Sequence, residues 1–143
     1  MDIAALLTWL FTAAGGFFML GTWIARGGVR QQRDGTSRLP APAVFGHFLL
    51  AAAGLVVWIV YLVAGNGALA WTAFGLLLPV ALLGLVMLLR WIPVHRTART
   101  GARTPGNGPA PAERAFPVPV VVGHGVLAVA TVVLVLLTAL GVG

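Results

Sequence analysis

Apolar residues dominate four stretches of this chain, near 3–25, 42–64, 68–92 and 117–140, and charged residues are almost confined to the segments between them. A hydrocarbon layer of about 30 Å is crossed by roughly 20 helical residues, and each stretch is that long. The pattern predicts an all-α protein, an integral membrane four-helix bundle forming a single transmembrane domain over 1–143. Pro40, Pro42, Pro117 and Pro119 stand at the starts of the second and fourth stretches, where a missing backbone donor costs little. The segment 93–115, rich in Pro, Gly, Thr and Arg with no apolar period, reads as a flexible loop.

The pattern is written twice. Gly16-Phe17-Phe18-Met19-Leu20-Gly21-Thr22-Trp23-Ile24 recurs as Gly84-Leu85-Val86-Met87-Leu88-Leu89-Arg90-Trp91-Ile92, sharing the frame G-x-x-M-L-x-x-W-I. Pro40-Ala41-Pro42-Ala43-Val44-Phe45-Gly46-His47 recurs as Pro117-Val118-Pro119-Val120-Val121-Val122-Gly123-His124. Leu50, Ala51, Ala53 and Val56 continue the match as Leu127, Ala128, Ala130 and Val133. Apolar coincidences are common between membrane segments, but these matches include both internal methionines, two tryptophans and two of the 3 histidines. The expected architecture is two tandem helical hairpins, about 3–64 and 68–140, related by a pseudo-twofold axis along the membrane normal. Such a repeat is parallel, unlike the inverted repeats of many alternating-access transporters.

Composition sharpens the membrane reading. Of 143 residues 59% are hydrophobic and only 8% charged, against roughly a quarter charged in soluble domains. The basic residues are all arginines: Arg26, Arg30, Arg33 and Arg38 follow the first stretch, and Arg90, Arg96, Arg99, Arg103 and Arg114 surround the third-to-fourth connection. The connection Ala64 to Ala68 carries no charge. The positive-inside rule puts both arginine-rich loops in the cytoplasm and both termini outside. Met1-Asp2-Ile3 lacks a basic n-region and the first stretch is too long for a signal h-region, so it is expected to be an uncleaved span. The net charge of +6 is accounted for by topology and anionic inner-leaflet lipid, without nucleic acid. Abundant Ala, Gly, Val and Arg with no Lys fits a GC-rich bacterial genome and a bacterial cytoplasmic membrane.

Candidate chemistry lies in one layer. His47 and His124 each stand seven residues after the first proline of their segment, hence at one depth; Met19 and Met87 each precede a tryptophan by four. An ionisable residue inside a span faces the bundle interior and a partner. The face through His47 continues with Leu50, Ala51, Gly54, Trp58 and Tyr61, and that through His124 with Leu127, Ala128, Thr131, Val135 and Thr138. Gly46, Gly54, Gly123 and Gly125 could admit a helix or a planar cofactor. Neutral imidazole is a good axial ligand of haem iron. In this arrangement the chain resembles the four-helix haem-binding core of membrane b-type cytochromes. The resemblance implies a haem b held by His47 and His124, with Arg26, Arg30, Arg38 and Arg114 available to its propionates, though there is no second histidine pair on the outer side.

Two other readings stand beside it. The histidines could be purely structural, fixing helix packing in an accessory or assembly subunit of a larger membrane complex. Alternatively His47, His124, Met19 and Met87 could bind copper, since thioethers suit Cu(I), in a small metal-handling transporter. Met19 and Met87 also fit a packing groove with Gly16 and Trp23, or Gly84 and Trp91. His95 has no repeat twin and is expected to be a solvated loop residue. Thiol chemistry is excluded by the absence of Cys, and no phosphate loop, His-Glu-x-x-His or Gly-x-Ser-x-Gly occurs. Asp2, Asp34 and Glu113 all fall outside the apolar stretches, which argues against carboxylate-coupled transport. The expected function is a small b-type cytochrome or anchor subunit passing electrons between quinone and a partner of a respiratory-type complex, with lipid and other membrane subunits around it.

Overall fold

The computed structural model describes residues 1–99 and 109–142. Arg103 and the rest of 100–108 lie outside the described residues. Four long helices carry the structure: α1 (Asp2–Ala25), α3 (Ala41–Ala64), α4 (Gly67–Arg99) and α5 (Val118–Ala139). A short helix, α2 (Gly28–Arg33), follows α1, and a 3-10 turn (Ala112–Ala115) precedes α5. No strand occurs among the described residues. At 24 residues, α1 and α3 are each about 36 Å long, and all four long helices are long and apolar enough to cross a membrane. Their outward surfaces are apolar as well, with Phe11, Leu49, Val63, Leu82, Val126 and Val129 all exposed, which is compatible with contact with a lipid bilayer.

Local sequence explains the boundaries. Pro40 and Pro117 are the N-caps of α3 and α5, with nearly identical extended backbones (φ −65°, ψ 126° and φ −66°, ψ 130°). A second proline in each first turn, Pro42 or Pro119, loses an amide that has no intrahelical partner there anyway. Gly65 ends α3 in the left-handed region (φ 65°) and returns its N–H to the Tyr61 carbonyl at 2.8 Å. Gly28 is required for a different reason: a Cβ there would sit inside the indole of Trp23.

Two expectations need correcting. The third helix does not stop at residue 92 but runs through Pro93 to Arg99, so 93–115 is not one loop. A proline inside a helix costs about 3 kcal/mol, and here burial of Trp91 and Val94 on either side of Pro93 offsets it. His95 accordingly is a helical residue stacked on Trp91, ring centres 4.9 Å apart, rather than a free loop residue. Packing runs across the sequence repeats. The two helices of one sequence repeat are not each other's main partners; α1 packs chiefly on α5, and α3 on α4. The Gly65-Asn66 turn is too short to separate α3 from α4, whereas the longer connection over 26–40 lets α1 pair elsewhere.

The core follows the register of the repeat. One apolar cluster joins Ala5, Trp9, Trp58, Ala70, Ala73, Leu77 and Val135, in which Ala5 and Ala73, Trp9 and Leu77, and Trp58 and Val135 are repeat equivalents. Small residues on one helix thus meet large ones on another: a Cβ on Gly54 would lie 3.1 Å from the Trp9 ring. That Cβ would also lie 3.6 Å from Leu76 in the α3–α4 seam, and at the equivalent place between α5 and α1 Thr131 donates to Thr8 Oγ1 at 3.0 Å. At the helix ends beyond this cluster, the Asp2 carboxylate accepts from Tyr61 on one oxygen and from Thr138 on the other, each at 3.2 Å. Those two donors are again repeat equivalents.

The opposite end is closed by a buried polar latch. Glu113, expected in a loop, has 0% exposure. Its carboxylate accepts from the Ser37 hydroxyl (3.0 Å) and the Arg38 amide (2.6 Å), and its carbonyl accepts from the Trp91 indole (3.1 Å). Ser37 in turn accepts from the Trp23 indole at 3.2 Å. Gln31 bonds the Ala110 carbonyl and the Ala112 amide, so α2 also holds the segment leading into α5. Leu39, Val44, Trp23 and Ala112 form a second apolar cluster around these groups. Removing the acceptor from a buried network costs about 1–3 kcal/mol per donor left unsatisfied. Glu113→Ala is therefore expected to lower the unfolding midpoint in detergent by that order of energy and Glu113→Gln by less, while exposed Asp34→Ala leaves it unchanged. Equal midpoints for Glu113→Ala and the parent would show that the latch contributes no stability.

Candidate functional site

Between the two apolar clusters lies the histidine layer. His47 is on the second turn of α3 and His124 on the second turn of α5, each about 10 Å along the helix from its capping proline. Both rings are half-buried, and their centres are 6.2 Å apart with planes inclined by 50°. Each imidazole is docked on a helix of the other repeat. His47 Nδ1 lies 2.9 Å from the Val80 carbonyl of α4, and His124 Nδ1 lies 2.8 Å from the Thr12 carbonyl of α1. A carbonyl only accepts, so both rings carry their proton on Nδ1. The nitrogen left with an unprotonated lone pair is Nε2 in both, the arrangement found where a second-shell carbonyl orients a metal-bound imidazole.

The two contacts are copies of one another. Thr12 and Val80 are repeat equivalents, as are the glycines four residues later, Gly16 and Gly84. A Cβ built on Gly16 would lie 3.2 Å from His124 Cε1, and one on Gly84 would lie 3.2 Å from His47 Cε1. Gly15 stands beside them, 3.6 Å from the His124 ring by the same measure. Along α1 and α5 the layer is also threaded by hydroxyls. Thr12 donates to the Thr8 carbonyl (2.7 Å), Thr8 to the Ala5 carbonyl (3.0 Å), and Thr131 lies within reach of Thr8 Oγ1 and the Leu127 carbonyl. The equivalent positions between α3 and α4 are Leu76, Val80 and Gly54, which offer no hydroxyl.

Other residues singled out in the sequence are distributed as follows. Gly46 faces Leu83 (3.7 Å for a Cβ), Gly54 faces Trp9, and a Cβ on Gly123 or Gly125 would meet nothing within 4 Å. Of the glycines, it is Gly16 and Gly84 that touch the imidazoles most closely. Met87 packs against the cluster of Trp23 and Leu39, and Met19 is half-buried on α1. Arg26, Arg30, Arg38 and Arg114 are exposed at the latch end, and Arg90 donates to the Arg38 carbonyl at 3.3 Å. Beside Arg38 and Arg90 an open cleft of about 510 Å³ is lined by Gly35, Ser37, Leu89 and Pro93. Phe17 and Phe48 meet edge to face (5.2 Å) between α1 and α3 in the histidine layer, where the repeat-equivalent pair is Leu85 and Gly125.

Sequence reading found both histidines but not their docking partners. The missing signal was available: the carbonyl a histidine uses stands four residues before the first glycine of the G-x-x-M-L-x-x-W-I frame, in both copies. Glu113 and Ser37 gave no comparable signal, because their burial depends on how two connections meet. What the layer offers chemically is two imidazole lone pairs of fixed tautomer, on opposite helix pairs, in apolar surroundings. No family model, curated protein or solved structure matches this chain.

Proposed function

We propose that the protein is a small membrane b-type cytochrome or haem-binding anchor subunit, in which His47 and His124 would hold one haem b. The observation that carries this reading is the separation of the rings. Both rings keep Nε2 free, and their centres, 6.2 Å apart, are close enough for both to ligate one metal ion through bonds of about 2 Å. The Nδ1–H bonds to Thr12 and Val80 supply the usual second-shell orientation of such ligands. Exposed Arg26, Arg30, Arg38 and Arg114 would pair with its propionates. When bound, it would supply one-electron chemistry. The protein's own residues would fix ligand orientation, hold off water through the two apolar clusters and neutralise the propionates.

In this reading the four helices span a bacterial cytoplasmic membrane as two related hairpins. Arginines at the latch end put that end in the cytoplasm and both termini outside. The haem, one to two turns from the cytoplasmic boundary, would exchange electrons with quinone or with a partner subunit of a respiratory-type complex. A second reading is favoured by the completeness of the contacts already present: each imidazole has a hydrogen-bond acceptor and a glycine surface without any cofactor. The protein would then be an accessory or assembly subunit whose histidines lock the two helix pairs together.

Colour separates the two. Protein purified under conditions that retain haem in control cytochromes is expected to show, after dithionite, the sharp α-band of a low-spin b haem. His47→Ala or His124→Ala should remove or broaden the band, and His95→Ala should leave it unchanged. A colourless protein supports the accessory reading, and bound copper lost on changing Met19 or Met87 supports a metal-handling one. Sidedness is tested by single cysteines in this cysteine-free chain: Asn66→Cys should react with an impermeant reagent in intact cells, and Asp34→Cys only after lysis. The reverse pattern would invert the topology.

A further inference from the structure

On an α-helix each side chain leans back toward the N-terminus and stands over the carbonyl four residues earlier. That carbonyl already accepts one amide within the helix, and its second lone pair is normally covered by the overlying side chain. Gly16 stands four residues after Thr12 and Gly84 four after Val80, so both carbonyls are uncovered. At each of them an imidazole edge enters the gap, with its Nδ1 2.8 or 2.9 Å from the oxygen. Its Cε1 lies where a Cβ would approach to 3.2 Å, closer than ordinary contact. Cε1 is the carbon between the two ring nitrogens, so pushing it away lengthens the hydrogen bond from Nδ1–H to the carbonyl and turns Nε2 at the same time. We propose that Gly16 and Gly84 are positioning residues, each forming a notch that fixes the tautomer and aim of the histidine on the opposite repeat. As a statement about ligand tuning this rests on the haem reading; as a statement about tautomer it does not.

A hydrogen-bonded Nδ1–H raises the basicity of Nε2 and strengthens its bond to metal. Loosening it therefore weakens binding and favours the reduced, less positive iron. In the full-length protein in detergent, Gly16→Ala and Gly84→Ala are each expected to weaken haem binding about 10- to 100-fold and to raise the midpoint potential. Gly21→Ala, on the same helix as Gly16 and with a Cβ that would meet nothing within 4 Å, should change neither. A haem-loaded Gly16→Ala and Gly84→Ala with unchanged affinity and potential would overturn the positioning role while leaving the haem reading intact. If the parent binds no haem, the haem reading fails and the notch is read in the cofactor-free protein. Imidazole ¹⁵N shifts should then report protonation on Nδ1 of both rings in the parent. In Gly84→Ala, His47 should become a tautomer mixture while His124 is unaltered; parent rings protonated on Nε2 would overturn the inference. Because each variant perturbs one ring and leaves the other as an internal control, loss of folding is distinguished from loss of one notch.

Discussion

Reciprocal docking of His47 on α4 and of His124 on α1 is the constraint around which the bundle is arranged. Helices whose outward faces are as apolar as their contacts are poorly selected by hiding leucine, so their association depends on close packing and on polar groups with no better partner. An imidazole N–H in such surroundings costs several kcal/mol if unpaired, and each ring finds its acceptor in a carbonyl of a neighbouring helix. A glycine four residues on gives access to one. The short Gly65-Asn66 turn and the longer 26–40 connection set α1 on α5 and α3 on α4, and the glycines stand on the helices that this pairing brings to the histidines.

The two ends of the bundle solve their polar problems differently. At one end a single carboxylate, Asp2, accepts from repeat-equivalent Tyr61 and Thr138, so one acceptor ties both repeats across the axis. At the other, Glu113 and Ser37 join two connections that have no sequence resemblance to one another. Even there Trp23 and Trp91 keep the older symmetry, each donating its indole N–H to the connection that enters the next long helix. Between the ends the seams have diverged: Thr8, Thr12 and Thr131 line one, and Leu76, Val80 and Gly54 the other. Each histidine is held by a backbone carbonyl and not by the side chain at that position, so Thr12 and Val80 serve the docking contact alike.

Hydropathy made the four long helices legible, and the rare residues made the repeat legible, because both signals are local or depend on exact recurrence. The end of α4 was misread because Pro93 is a breaker by local rules and its cost is offset by Trp91 and Val94, whose burial is tertiary. His95 and Glu113 were misread for the same reason: a stacked ring and a fully buried carboxylate look like loop residues until the partner segment is known. The glycines that touch the imidazoles were not found in the sequence. Gly46, Gly54, Gly123 and Gly125 are close to the histidines in sequence, but an imidazole reaches sideways to a neighbouring helix, and the relevant gaps, at Gly16 and Gly84, lie on that neighbour.

Each repeat contains one histidine and one notch that do not fit each other. His47 enters the notch of the second copy, and His124 that of the first, so a lone hairpin could complete neither contact. Two copies are the smallest set in which either imidazole is satisfied, and in that set both are satisfied together, as in an isologous dimer. Joining the copies in one chain converts a concentration-dependent encounter into an intramolecular one. The stoichiometry of the histidine layer is thereby fixed at two rings per polypeptide, and the two halves are freed to differ everywhere that the exchange of contacts does not reach.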